Sequence, residues 1–507
     1  MALATVSAVV FITFLDNTIV SVTLADVQTS LGVGVSGLQW IVDGYMLAFA
    51  GLMLTGGTLG DLIGRKKVML VGLAVFCAGS LVGALASDTP TLIAGRVVMG
   101  VGAAASEPGT LSVLRHMYPE RRRRAQALGV WTAVSGLALS LGPIIGGAIV
   151  GGAGWRGVFW FNVAFGLAAL AAAAWTLPES ADPEGRKIDV PGLVLSAATV
   201  TAATFAVIQG ESAGYGTWWI DLLFAGAALG AVAFVRVERR SPDPVLKLDF
   251  LRKSTFLGAN VVAFAANFGV FAVFFFTALY LQLIAGFSGW QIAIQFLSMA
   301  AAMVIAGPAA GWWAGRAGAR APMVLGWVLA AAGMLVVDAL LSPNVSVPAL
   351  AWALAIVGFG FGMVLVTMTA SVLTLVPPER SGMAASTVNT SRELGGVLGV
   401  AVLGAIVDAQ LTARLADKLA QLGVPPTFRS IVVDAVTHGG VPKSAATVQN
   451  PAAAGHQPLV VQVIRAAEDA FGTGLHIALV LAAGLLLAAA VVAAFTVGRP
   501  AGERFAP

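Results

Sequence analysis

Charge is what this sequence has least of. Asp, Glu, Lys and Arg make up 11% of its 507 residues and apolar types 58%, with a mean hydropathy of +0.89. A soluble chain carries about 25% charge, so a soluble globular domain is excluded. Cysteine is reduced to Cys77, which rules out an intramolecular disulfide. Of the four histidines, His116, His438 and His456 fall in polar stretches and His476 at the end of an apolar run. No metal-ligand or nucleophile–base spacing surrounds them, so neither a metal centre nor an enzyme is expected. No Walker pattern appears, which argues against an ATPase within the chain. Nor is a cleavable signal peptide expected: the first apolar run begins at Met1 and carries an acid in its middle.

What is abundant is the long apolar run. Crossing about 30 Å of hydrocarbon takes about 20 helical residues. Fourteen such runs fall near 3–24, 38–58, 68–87, 91–114, 125–150, 155–177, 190–209, 217–236, 256–283, 289–312, 321–341, 347–373, 381–407 and 474–497. Sixty glycines suit helices that pack closely in lipid. The expected fold is an all-α integral membrane protein with fourteen transmembrane helices.

A short charged island, GGTLGDLIGRKKV at 56–68, returns as GWWAGRAGAR. There Gly311, Gly315, Arg316, Gly318 and Arg320 occupy the places of Gly57, Asp61, Leu62, Gly64 and Lys66. Two copies of one loop imply two related halves. The chain divides as a six-helix bundle over 1–180, two extra helices and a linker over 181–255, and a second six-helix bundle over 256–507. Within the last lies an outer loop, 408–473. It holds two amphipathic pieces, QLTARLADKLAQL and VVQVIRAAEDAF, expected to lie on the outer face or over the helix ends.

Of the 29 basic residues, 21 fall on one side of this arrangement, among them Arg65–Lys67, Arg121–Arg124, Arg186, Lys187, Arg499 and Arg504. The opposite short loops carry Arg156. Basic loops stay in the cytoplasm, so both termini are expected there, in a plasma membrane. The net charge of +4 is thus a product of topology, and no nucleic-acid partner is expected.

Ionisable residues inside a span cost about 2.5–3.5 kcal/mol or more and need partners or water. Asp16 (first span), Asp43 (second), Arg96 and Glu107 (fourth), and Arg392 and Glu393 (thirteenth) are the candidates. Asp43 and Arg96 lie at similar depth, and Asp16 has either within reach. Glu107 lies about 16 Å further toward the cytoplasm. Arg392 and Glu393 point about 100° apart, so one faces a central cavity squarely, with Arg392 the better placed. Four acids against two bases favour protons and organic cations as cargo over anions. Each residue also has a purely structural reading, as a helix–helix hydrogen bond or a lip residue in water. The fifth span holds Gly142, Pro143, Gly146 and Gly147, a close-packing face with a proline bend.

In these motifs the chain resembles the fourteen-helix drug:proton antiporter branch of the major facilitator superfamily. GGTLGDLIGRKKV resembles that family's loop between helices two and three. LIAGRVVMGVGAA resembles its fourth-helix arginine motif, LGPIIGGAIV its fifth-helix antiporter motif, and LDNTIVSVTLADV the first-helix motif of the branch. SRELGGVLGVAV resembles its thirteenth helix. The resemblance implies alternating access, driven by the proton gradient without a cofactor, and export of small hydrophobic, cationic compounds by a bacterial inner-membrane monomer. It implies proton coupling at Asp16 and Arg96; Asp43 and Glu107 are extra acids compared with the common pattern, expected from their place in the spans to join that coupling. Asp43, Glu107, Arg392 and Glu393 would line the substrate cavity. Gly57, Asp61, Gly64, Arg65 and Lys66 would form a cytoplasmic gate, and Gly142, Pro143, Gly146 and Gly147 would mark an exporter. Gly315 stands where the first loop copy has an acid, so the gating charges are expected to be asymmetric. The alternative is a dedicated exporter of one endogenous metabolite, antibiotic, peptide or lipid.

Overall fold

The computed structural model describes residues 1–33, 35–181, 188–287, 289–342, 345–422, 424–425, 429 and 457–497. Arg186, Lys187, Arg499, Arg504 and the middle of the predicted 408–473 loop lie outside them. Among the described residues every regular element is helical.

The first bundle contains α1 (Ala2–Ile19), continued by a 3-10 turn (Val20–Thr23) and the short α2 (Leu24–Leu31). It goes on with α3 (Val35–Ile63), α4 (Arg65–Leu85), α5 (Thr89–Met117), α6 (Arg121–Ala153) and α7 (Arg156–Thr176). Two extra helices follow, α8 (Val190–Ala213) and α9 (Trp218–Glu238), then a short linker helix α10 (Leu248–Arg252). The second bundle is α11 (Ser254–Leu283), α12 (Gly289–Ala317), α13 (Arg320–Leu340), α14 (Val347–Leu375), α15 (Ser381–Gln421) and α16 (Gln457–Thr496). Among the described residues thirteen helices are long and apolar enough to cross a bilayer, and α6 makes a fourteenth if its two arms, 43° apart, count as one span.

Helix ends follow local chemistry. The Asp88 side chain accepts a hydrogen bond from the Thr91 N–H at 2.8 Å, capping α5, and that bond holds the Asp88 carboxyl below its ordinary range. Gly64 starts α4 at φ +126°, a backbone conformation that glycine alone adopts without strain. Pro143 bends α6 because its ring removes one rung of the helical ladder.

The apolar faces collect into two large cores. One runs from Val6 to Leu177 and also takes in residues of the second bundle such as Ala306, Ala310 and Met363. The other runs from Leu246 to Val497. The extra helix α8 lies against α3, where Gly51 leaves room for Thr201.

The structure differs from expectation in the outer loop. The amphipathic pieces are not separate elements on the outer face. QLTARLADKLAQL continues α15 to Gln421, and VVQVIRAAEDAF belongs to α16. Leu411, Leu415 and Leu419, one turn apart, are buried with Ala467, Ala470 and Phe471, so the two helices go on as a packed pair beyond the spans. Hydropathy falls there while the helical period persists, and sequence reading took the fall for a loop.

Candidate functional site

Two constellations follow from this packing: a buried polar cluster inside the first bundle, and a seam between the bundles.

Asp16, fully buried on α1, receives Arg96 Nη1 at 2.5 Å and Asn162 Nδ2 at 2.7 Å, one on each carboxylate oxygen. Arg96 Nε donates to the Ile41 carbonyl at 2.9 Å, and its guanidinium lies 4.4 Å from the centre of the Tyr45 ring. Taking either charge away would leave the other buried without its counter-charge, at about 3–5 kcal/mol. Asp43 lies half-buried on the same helix as Ile41 and Tyr45, α3. Asn162 of α7 was not singled out from sequence. A neutral amide in an apolar run carries no signal until its partner, 146 residues away, is known.

Toward the second bundle, Glu107 Oε1 accepts from Asn389 Nδ2 at 3.2 Å, while Oε2 is buried without a hydrogen bond. Arg392 Nη1 donates to Asn389 Oδ1 at 3.2 Å, and Nε lies 3.5 Å from Asn267 Oδ1. The Arg392 guanidinium sits 5.5 Å from the Phe14 ring. Phe14 meets Trp131 edge-on at 5.9 Å, and Trp131 Nε1 donates to Thr110 Oγ1 at 3.0 Å. Five helices, α1, α5, α6, α11 and α15, thus contribute to one polar and aromatic floor between the bundles. Glu393 is half-buried beside it, where Arg392 is buried.

Below that floor, at the arginine-rich end, the bundles touch along two lines related by the repeat. On one, α3 meets α15. A Cβ on Gly57 would come 2.6 Å from the Gly382 carbonyl oxygen, and a Cβ on Gly382 would come 2.7 Å from Asp61 Oδ1. Asp61 accepts from the backbone N–H of Gly382 and of Met383, both at 2.9 Å. Its Oδ1 also takes Arg65 Nε at 3.0 Å and Nη2 at 2.9 Å. A carboxylate on the first N–H groups of α15 is favoured by the helix dipole as well as by the hydrogen bonds. Arg115 Nη2 adds a bond to the Val376 carbonyl across the same gap.

Lys66 does not join Asp61. Its Nζ donates to the Ala174 carbonyl at 2.7 Å. Glu179 accepts from the backbone N–H of Lys66 at 3.1 Å and of Lys67 at 3.2 Å, and a Cβ on Gly64 would lie 2.9 Å from its Oε1. The charged loop is therefore held from behind by Glu179, another residue that sequence reading passed over.

On the second line, α12 meets α6 at close-packed glycines. Cβ atoms on Gly307 and Gly311 would come 2.7 Å from the Gly129 carbonyl oxygen and 2.3 Å from that of Ala125. Gly315, the counterpart of Asp61, lies 3.4 Å (from a built Cβ) from Arg122 Cα, beside the first residues of α6. Arg316 rests on the Trp312 ring at 3.9 Å. One line carries a charged clasp and the other a glycine seam.

In the fifth-span motif, Gly142 and Gly146 face α1. Their Cβ atoms would meet Thr18 Oγ1 at 1.9 Å and Val22 Cγ2 at 2.5 Å. Gly147 meets nothing within 4 Å, and it stands apart from the other three residues of the run. No group of three or more metal-ligating side chains forms among the described residues.

Comparison with known proteins agrees with this architecture. A family model described as Major Facilitator Superfamily matches residues 6–400. The multidrug resistance protein Stp of Mycobacterium tuberculosis is 31% identical over 478 residues, 94% of this chain and 88% of that protein. The multidrug efflux pump LfrA of Mycolicibacterium smegmatis is 30% identical over 492 residues, 97% and 95% of the two chains. Among solved structures, the human organic anion transporter MFSD10 superposes with a TM-score of 0.58 at 16% identity, covering 96% of this chain and 99% of its own. The proton:xylose symporter XylE gives 0.57 at 14%, covering 87% and 95%; at such identities these two speak for the fold alone. Thirteen to fourteen membrane-crossing helices, two bundles related by an internal repeat and a family match over most of the length lead to one statement: the chain belongs to the major facilitator superfamily.

Proposed function

We propose that this protein is a proton-driven antiporter that exports lipophilic, cationic compounds from the cytoplasm or inner leaflet, working as a monomer without a cofactor. The observation that carries the reading is the buried Asp16, held by Arg96 and Asn162 in the same bundle whose Asp61 clasps the other. A carboxylate with that placement can exchange its arginine for a proton. Names of relatives, a multidrug efflux pump and multidrug resistance proteins, support drugs as cargo. Arginine-rich loops favour the cytoplasm, which puts both termini there and makes the clasped conformation the outward-facing one.

In the proposed cycle, a proton from outside neutralises Asp16 and the clasp at Asp61 releases. A cationic compound then binds against Glu107, Asp43 and Glu393 in the inward-facing cavity. Arg392 limits that charge. One proton entering yields about 2.3 kcal/mol per 100 mV and about 1.4 kcal/mol per pH unit. The protein acts as a transporter and not as an enzyme, in the bacterial plasma membrane.

The test uses the full chain in liposomes with an internal pH dye and an imposed proton gradient. Ethidium, a quaternary ammonium compound and a neutral hydrophobic drug are added in turn. Proton movement triggered by the cations and abolished in Asp16→Asn is the expected outcome. No response to any of the three overturns broad cation export in favour of one dedicated endogenous cargo. A response that survives in Asp16→Asn moves the coupling role to Asp43 or Glu107.

A further inference from the structure

Pro143 has no N–H, so the carbonyl four residues earlier, that of Leu139, has no partner within α6. The structure supplies one from outside: Thr18 Oγ1 of α1 donates to Leu139 O at 2.9 Å. The approach is possible only because residue 142 is glycine, where a Cβ would stand 1.9 Å from Thr18 Oγ1. The two residues do different jobs. Proline frees the acceptor, and glycine opens the way to it.

Thr18 has one hydroxyl hydrogen and two acceptors. The second is its own helix's Leu15 carbonyl, at 3.3 Å. Letting go of α6 therefore leaves no buried donor stranded, because the hydrogen turns back to Leu15. Breaking the contact leaves only the Leu139 carbonyl without its partner, and not the Thr18 donor as well.

Its position gives it something to switch. Thr18 follows Asp16 by two residues, so on a helix their side chains point about 200° apart. Asp16 faces α5 and α7 through Arg96 and Asn162, and Thr18 faces α6. Directly after Ile19 the helix tightens into the 3-10 turn Val20–Thr23, a form frequent at hinges. On the other side, the 43° bend of α6 lies between Leu139 and Leu141. The arm before it carries Ala125 and Gly129 of the glycine seam, and the arm after it carries Gly142 and Gly146 against α1.

We propose that Thr18 is the positioning residue that couples the charge state of Asp16 to the glycine seam, by holding or releasing the Leu139 carbonyl at the bend of α6. Loss of the Asp16–Arg96 contact lets α1 turn. Thr18 then changes acceptor, the bend relaxes, and the lower arm of α6 leaves α12. This rests on the proton-driven reading above. The groups that face Asp16 are Arg96 of α5 and Tyr45 of α3, with Asn162 of α7 neutral. Glu107, Glu393 and Arg392 are the further charges around that cavity.

The test uses the full-length protein in liposomes, with Cys77→Ala and spin labels at residues 123 and 316, one on each side of the seam. Thr18→Val keeps the shape and removes the donor, and Thr18→Ser keeps the donor. Pro143→Ala restores the N–H to Leu139. Thr18→Val is expected to slow proton-driven ethidium efflux about tenfold and to shift or abolish the pH dependence of the 123–316 distance. Thr18→Ser is expected to stay within about twofold of wild type. In the Pro143→Ala background, Thr18→Val is expected to change the distance distribution by less than about twofold in population. If Thr18→Val does not fold, Thr18→Ala carries the same comparison.

Thr18→Ser as impaired as Thr18→Val, or a full Thr18→Val effect in the Pro143→Ala background, overturns the proposal. A wild-type distance insensitive to both pH and Asp16→Asn overturns proton coupling instead. The Thr18 and Pro143 comparison of distance populations at one pH still reads the contact itself.

Discussion

Asp61 of one bundle accepts a hydrogen bond from the backbone N–H of Met383 in the other, at 2.9 Å. With the Gly382 N–H and the Arg65 guanidinium on the same carboxylate, an ionised side chain of one bundle caps the first turn of a helix of the other. Asp61→Asn keeps one acceptor oxygen and loses the charge, so charge-assisted bonds worth about 1.5–3 kcal/mol weaken. The sealed conformation is expected to lose population by about tenfold or more. Thiol labelling of Ser386→Cys, placed in the contact with Gly57, reads this directly in a Cys77→Ala background. An unchanged labelling rate would mean that the clasp contributes nothing to the seal.

Gly315 occupies the corresponding place on the other line, with room for a Cβ at ordinary contact distance from Arg122. Gly315→Asp is expected to put a carboxylate beside the start of α6, next to Arg122, and to stabilise the sealed state by about 0.3–1 kcal/mol. The melting temperature should rise while turnover falls. A faster transporter with the same melting point would refute the idea that a second clasp is tolerated there.

Within the fifth-span motif the glycines are not equivalent. Gly142→Ala drives a methyl into Thr18 Oγ1, whereas Gly147→Ala meets open space. Transport should drop at least tenfold for the first and stay within about twofold for the second; overpacking costs about 1–3 kcal/mol. Equal behaviour of the two in an efflux assay would argue that the motif acts through flexibility and not through contact.

Asn162 donates to the Asp16 oxygen that Arg96 leaves open. Asn162→Ala is expected to cost about 1–3 kcal/mol in stability by leaving a buried carboxylate oxygen unpaired. Combined with Asp16→Asn, the two losses should not add, with a coupling of about 0.5–3 kcal/mol in a thermal double-mutant cycle. Strict additivity would place Asn162 outside the cluster's energetics.

How much of this could be read from the chain depends on what each feature needs. Spans announce themselves through length and hydropathy, and the repeated loop fixes how the halves correspond, so the two-bundle fold was legible. Asp16 and Arg96 stood out as charges in apolar runs, and their side chains do meet. Thr18, Asn162 and Glu179 did not stand out. Hydroxyls and amides are ordinary in membrane helices, and Glu179 sits in a polar connection where acids are common. Each acquires its role from a partner more than 100 positions away. The outer ends of α15 and α16 were misjudged for the opposite reason. Their leucine stripe was visible, but a fall in hydropathy was read as an end of helix when it marks an end of lipid.

That last feature has a mechanical side. At about 1.5 Å per residue, the 41-residue α15 is about 60 Å long, roughly twice the hydrocarbon thickness, and α16 matches it. Both belong to the second bundle and are packed together along their outer parts. A rigid rod pivoting near the membrane centre moves in proportion to distance from the pivot, so a tilt too small to resolve at the seam is magnified at the tip. The packed far ends of α15 and α16 act as a pointer. Fluorophores on them would register rocking of the bundle as changes in distance, without any label entering the transport path.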